Sequence, residues 1–191
     1  MAENQLSDAD ISRGCRQNDP RAWRHLVRSY TPLVYRVAFR MLKEEQAAED
    51  TTQEVFMTVH RAIESHDPTR PLAPWLARIT YNDCLKRLDK IRRRSEKPLE
   101  NNEKAYEIAD HNPSPEFSVH EKQMAQHIDH ALDRLSAQDR GLIILRYREG
   151  FTDSEISQAT RMPVGTVKTR LHRARGKLKQ YLAPLFMEVS Q

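Results

Sequence analysis

Between Arg161 and Lys179 the chain carries seven basic residues (Arg161, Lys168, Arg170, Arg173, Arg175, Lys177 and Lys179) and no acidic one. On a helical wheel Val167, Leu171, Ala174 and Leu178 form an apolar stripe, and Thr166, Thr169 and Arg173 point away from it. Lys168, Arg170, Arg175 and Lys177 flank that outward line. Short hydroxyls and an arginine suit base edges in the DNA major groove, and flanking cations suit the phosphate walls. The competing reading is an ordinary solvated basic helix. What favours DNA is the neighbourhood. Thr152-x-x-Glu155 is a capping box opening a short helix to about Thr160, Arg161-Met162-Pro163 breaks it, and a long helix runs from about Val164 to Leu182. Those are the proportions of a helix-turn-helix.

A second basic zone runs from Arg78 to Arg94 and ends in Lys90-Ile91-Arg92-Arg93-Arg94, near Trp75 and Tyr81. Cations beside aromatic rings suit single-stranded nucleic acid, where bases stack and phosphates are neutralised. A core tryptophan followed by a frayed, solvated helix end accounts for the same residues. Asp50, Gln53, Glu54, Met57 and Arg61 make a polar stripe opposite the apolar Ala48, Thr52, Val55, Phe56, Val59 and Ile63. That stripe is either a protein-docking face or a solvated one. His127 and His130 sit three apart with no third metal ligand near them, and Cys15 and Cys84 are far apart with no CxxC. There is no nucleophile–base pattern and no glycine-rich phosphate loop, so neither an enzyme nor a metal or other cofactor is expected.

Helices must position these residues. One is expected from Asp8 to Gln17 behind Ser7-x-x-Asp10, then one from Asp19-Pro20 to about Tyr30. Thr31-Pro32 reads as a fresh start running to Leu42. Further helices are expected over about Gln46–Ser65 and Pro74–Arg93, with His66 to Pro71 as a loop between them. In the second half the starts are Ser114-Pro115, running to Leu135, and Ser136-x-x-Asp139, running to Glu149 with Gly150 as its stop. Between them, Ser95 to His120 holds six acids, two lysines and three prolines with few large apolar residues, and reads as a linker. The expected fold is all-α: two small helical domains joined by an acidic flexible linker, the C-terminal one a helix-turn-helix. At 191 residues, 30% charged, net charge +4 and 38% hydrophobic, the chain can bury only a thin core under a solvated surface. No stretch reaches the roughly 18–20 apolar residues of a membrane span, and the start lacks the order of a signal peptide. With its two lone cysteines, that points to the cytoplasm and no membrane insertion.

Three motifs in order resemble the bacterial extracytoplasmic-function sigma factors of the sigma-70 superfamily: Ala48-Glu49-Asp50-Thr51-Thr52-Gln53-Glu54-Val55-Phe56, Trp75-Leu76-Ala77-Arg78-Ile79-Thr80-Tyr81-Asn82, and Pro163 through Arg175. The likeness spans about Asp8 to Leu182. It implies a subunit that binds core RNA polymerase and directs promoter-specific initiation of a stress or envelope-response regulon. Residues 1–94 would be the region 2 domain, 95–115 the linker and 116–191 the region 4 domain. By resemblance Asp50, Gln53, Glu54 and Phe56 fall in the segment that docks on the polymerase clamp. The Ser65–Leu72 loop, with Asp67, Thr69 and Arg70, and the helix bearing Arg78, Asn82 and Lys86 fall where the melted minus-ten strand is held. Thr166, Lys168, Thr169, Arg170, Arg173, Arg175 and Lys177 fall on the helix that reads duplex minus-thirty-five DNA, in a domain that also meets the polymerase flap. The acidic linker would pass through the polymerase channels, and an anti-sigma factor is a common partner in the family. Arg161 stands where the family has glycine, and an arginine in the left-handed region costs up to about 1–2 kcal/mol. The alternative is a stand-alone helix-turn-helix regulator, which leaves the Asp50–Phe56 stripe and the Arg78–Arg94 helix without a task.

Overall fold

The computed structural model describes residues 6–95 and 119–188, and the side chains of 6–94 and 124–183. The acidic segment after Ser95, including the Ser114-Pro115 start signal, lies outside the described residues. In chain order the helices are α1 (Asp8–Arg16), α2 (Pro20–Leu42), α3 (Glu45–Ala62), α4 (Leu72–Ser95), α5 (Val119–Asp133), α6 (Ala137–Ile143), α7 (Asp153–Thr160) and α8 (Val164–Glu188). A short 3₁₀ turn, Ile63–Ser65, ends α3, and a π-helical turn, Ile144–Arg148, extends α6. The fold is all-α, with no strand among the described residues, and no helix there is long and apolar enough to cross a membrane.

Local chemistry explains most starts. Ser7 Oγ accepts from the Asp10 amide (3.2 Å), Asp19 Oδ1 from the Arg21 amide (2.9 Å), and Ser136 Oγ from the Asp139 amide (3.1 Å). At α3 the cap is Glu44, whose carboxylate accepts from the Gln46 and Ala47 amides. The expected restart at Thr31-Pro32 does not occur, because α2 is continuous and carries Pro32 inside it. Proline costs about 3 kcal/mol there, having no amide for the carbonyl one turn back. The cost is offset because Leu26, Val34, Val37, Ala38 and Met41 stay on one buried stripe only if the helix does not break. The neighbouring Thr31 hydroxyl donates to the Val27 carbonyl (2.7 Å).

Two apolar clusters result. One gathers Ile11, Leu26, Val34, Val55, Val59, Leu72, Trp75 and Leu76 from α1–α4. The other continues from the far ends of α2 and α4 (Val37, Met41, Ala77, Tyr81, Cys84) into α5–α8 (Leu135, Leu142, Ile144, Ile156, Leu171). The two helical units therefore share a core instead of standing apart. Gly141 in α6 makes the close approach possible. A Cβ there would lie 2.4 Å from Tyr81 Cε2 and 3.2 Å from Met41 Cε. Around that contact Arg140 Nη2 donates to the Met41 carbonyl (2.8 Å), and Lys43 Nζ lies 3.4 Å from Asp129. Glu149, its side chain only 1% exposed, takes Arg36 Nη2 and Arg40 Nη1 at 2.7 Å each. The π turn helps to place it: one extra residue rotates the downstream chain by about 100° relative to an unbroken α-helix.

Candidate nucleic-acid and protein interfaces

The capping box at α7 forms as its residues dictate: Thr152 Oγ1 accepts from the Glu155 amide (3.2 Å) and Glu155 Oε2 from the Thr152 amide (2.8 Å). Arg161 then takes the left-handed conformation at φ 58°, so the turn keeps the shape that glycine would favour in spite of the strain. The Ser157 hydroxyl fastens the turn by donating to the Met162 carbonyl (2.6 Å). In α8 Val167, Leu171 and Ala174 are buried, while Thr166, Lys168, Thr169, Arg173, Arg175 and Lys177 are exposed around the rest of the helix.

Arg170 does not join them. Its Nε and Nη2 meet Asp139 Oδ1 at 2.8 and 2.7 Å, and its Nη1 donates to Gln138 Oε1 (2.8 Å). The guanidinium fastens α8 to the start of α6 and is not presented with the outward line. Tyr147, missed in the sequence, is 54% exposed beside that surface. Its hydroxyl accepts from Arg175 Nη1 (3.4 Å), and it lines a groove with Arg146, Lys168 and His172. Its one sequence signal was an aromatic residue set between two arginines, Arg146 and Arg148.

The 66–71 loop makes its own turn. Asp67 Oδ1 accepts from the Thr69 amide (2.9 Å) and hydroxyl (2.7 Å), which holds the Asp67 carboxyl below the usual range. Asp67, Thr69 and Arg70 are exposed. With His66, Trp75 and Arg78, Asp67 and Arg70 line a concavity that Gln158 of α7 also borders. Arg78 is half-buried, and burial together with the nearby Arg161 pushes its guanidinium down. Asn82 and Lys86 are exposed further along α4. Trp75 is buried against His66, ring centroids 4.9 Å apart, so it acts as a wall, not as an open stacking platform.

On α3 Asp50, Gln53 and Glu54 are exposed, with Met57 61% exposed beside them. Glu54 pairs with Arg87 Nη2 of α4 (2.8 Å), and Phe56 is half-buried against the first core cluster. The loop and Arg78 of α4 share one concavity, and Lys86 lies in a separate depression with Lys90 and Arg93. The α3 stripe and the α8 face lie on other elements. Among the described residues no cluster of histidine, cysteine or carboxylate side chains could hold a metal. Cys15 and Cys84 are free and buried, and burial pushes their thiols up to about 11 and about 12.

Residues 26–94 match the family model of Sigma-70 region 2, and residues 125–178 that of Sigma-70, region 4. Among curated proteins, the ECF RNA polymerase sigma factor SigW of Bacillus subtilis is 30% identical, over 89% of this chain and 94% of its own length. The chain belongs to the extracytoplasmic-function sigma factors. SigE of Mycolicibacterium smegmatis is 34% identical over 89% of this sigma factor, which spans 65% of that relative's length. The solved sigma factor RpoE of Bartonella quintana, in complex with the anti-sigma factor NepR, has the same fold: TM-score 0.68 at 24% identity, covering 84% of this chain and 96% of that one. CnrH in complex with the cytosolic domain of CnrY agrees, with TM-score 0.66 at 21% identity and coverage of 93% and 97%. Within this sigma factor the α3 stripe, the loop and α4 all fall in the region 2 match, and α7 and α8 up to Leu178 in the region 4 match. Helix α1 lies outside both.

Proposed function

We propose that this sigma factor works in the cytoplasm as a non-enzymatic initiation subunit that divides its tasks among the three surfaces. Asp50, Gln53 and Glu54 on α3 dock on core RNA polymerase, with Phe56 supporting the helix from beneath. The 66–71 loop, through Asp67, Thr69 and Arg70, and α4, through Arg78, Asn82 and Lys86, hold melted minus-ten DNA. Thr166, Thr169 and Arg173 read the duplex minus-thirty-five element, while Lys168, Arg175 and Lys177 neutralise phosphates. Arg170 contributes by fixing the tilt of α8 through Asp139. The domains fall at 1–94 and 116–191.

The observation that carries this reading is that one chain of the family offers all three surfaces on separate elements: an exposed polar stripe, a cation-lined loop concavity and a basic recognition helix. A stand-alone DNA-binding regulator has no use for the first two. Transcription in vitro with purified core polymerase, with and without this chain, tests it. Promoter-specific transcripts are expected only with the chain, and their absence with duplex binding intact would support the regulator instead. The two related structures were solved with partners described as an anti-sigma factor and a cytosolic domain. We extend that to an inhibitor that holds the two domains together here. A stoichiometric partner should be recovered from uninduced native cells.

A further inference from the structure

The 66–71 loop is pinned from outside the region 2 match. Asp8, Ser12 and Arg16 recur every four residues, so they form one stripe along α1, about 12 Å from end to end at 1.5 Å per residue. Arg16 meets the loop's entry: its Nη2 donates to the Glu64 carbonyl (3.1 Å) and to the His66 carbonyl. Ser12, fully buried, hydrogen-bonds His66 Nδ1 (2.9 Å), and the His66 ring lies against Trp75. Asp8 meets the exit: its Oδ2 accepts from the Leu72 amide (2.8 Å), capping α4 from a different element, and its Oδ1 accepts from the Tyr30 hydroxyl. The stripe runs antiparallel to the loop and takes its two ends and its first buried side chain.

We infer that α1 is the positioning element for the minus-ten loop, with Asp8, Ser12 and Arg16 as the positioning residues. This rests on the proposed minus-ten role of that loop. With both ends tied, Asp67, Thr69 and Arg70 stand on a short, internally hydrogen-bonded arch and need no ordering when a base leaves the stack. The α3 stripe makes none of these contacts, so core binding does not depend on them.

The test uses the full chain with core polymerase and the variants Asp8→Asn, Ser12→Ala and Arg16→Lys, beside two controls. Ile11→Val loosens α1 packing without touching the loop bonds, and Asp67→Ala alters the loop itself. The positioning variants should keep core affinity within about two-fold and lose roughly ten-fold in open-complex formation, read by permanganate reactivity, in line with leaving a buried hydrogen-bonding partner unsatisfied. Hydrogen exchange at 64–72 should quicken in them, with Arg16→Lys mildest, and stay unchanged in Ile11→Val. Unchanged exchange at 64–72 in all three variants overturns the inference. So does normal melting in them when Asp67→Ala is impaired. If Asp67→Ala also melts normally, the minus-ten reading of the loop has failed, and the exchange result alone decides whether α1 positions it.

Discussion

Glu149 is the perturbation that best separates the shared core from the domains that share it. Its carboxylate accepts from Arg36 through Nε (3.1 Å) and Nη2 (2.7 Å) and from Arg40 through Nη1 (2.7 Å). Glu149→Gln keeps the shape but removes the charge and turns one acceptor into a donor facing a guanidinium. Removing one partner of a fully buried pair costs about 3–5 kcal/mol. Here the arginine side chains stay 48% and 34% exposed and can rehydrate, so the loss is smaller. It still exceeds the roughly 0.2–1 kcal/mol of an exposed bridge, because Glu149 itself is 1% exposed. A value of about 2 kcal/mol lies between these limits and shifts the closed-to-open ratio about 30-fold. Small-angle scattering reads the change. A compact chain of this length has a radius of gyration near 16 Å, and the Gln variant should exceed it at low salt while the parent does not. Amides of α6 facing Tyr81 should lose protection in parallel. Identical radii and identical α6 protection in the two proteins would refute the latch, and so would a parent already at the open radius.

Gly141→Ala should also open the chain. Alanine favours a helix interior by about 1 kcal/mol over glycine, but its Cβ would enter the Tyr81 ring, so circular dichroism should show helicity retained while scattering shows expansion. Arg170→Ala should lower stability by about 1–2 kcal/mol, measured by denaturant unfolding, and leave promoter preference intact. By contrast Arg173→Ala should relax preference in the upstream element, and Lys177→Ala should weaken all sequences alike and reduce the salt slope by about one, as read by competition binding at two salt concentrations. Burial, assisted by Arg16, holds His66 below its ordinary value of about 6.5 against the opposing pull of the Pro71 carbonyl, Asp67 and Asp8. Its stabilising contribution is therefore present above pH 6.5 or so and lost as pH falls through the folded value. Loop protection should fade on acidification in the parent and stay flat in His66→Gln.

What could be read from the residues was whatever is local. The caps at Ser7, Asp19, Ser136 and Thr152 each need only a side chain and an amide two or three residues away, and all four form. Gly150 at φ 74°, which stops its helix, is local in the same sense. The outward line of α8 came from period alone. The failures are all tertiary. Pro32 signals a break that the buried stripe of α2 overrides. Arg170 lies on the flank of the wheel, and nothing local shows that Asp139, 31 residues away, will claim it. The bonds from α1 to the loop join residues 48 to 64 apart and leave no pattern in sequence.

The closed arrangement limits how this sigma factor can meet a promoter. Elements near minus ten and minus thirty-five lie about 25 base pairs apart, or roughly 85 Å along the duplex at 3.4 Å per step. A compact chain with a radius of gyration near 16 Å is only about 40 Å across, and here α7 lies against α4, so the two proposed reading surfaces cannot reach both elements on straight DNA. On the proposed assignment, the contacts at Glu149, Gly141 and Tyr81 must part when both elements are bound. The twenty-three residues from 96 to 118 set the limit of that separation at about 75–85 Å of extended chain. Affinity for a complete promoter is then the open-state affinity multiplied by the open fraction. If the Glu149 latch contributes about 2 kcal/mol, free protein is held back about 30-fold. Any partner that binds the open chain better, as core polymerase would through α3 and the C-terminal domain together, removes that restraint before DNA is met. An inhibitor needs only to bind the closed chain better, adding to an interface the sequence already builds.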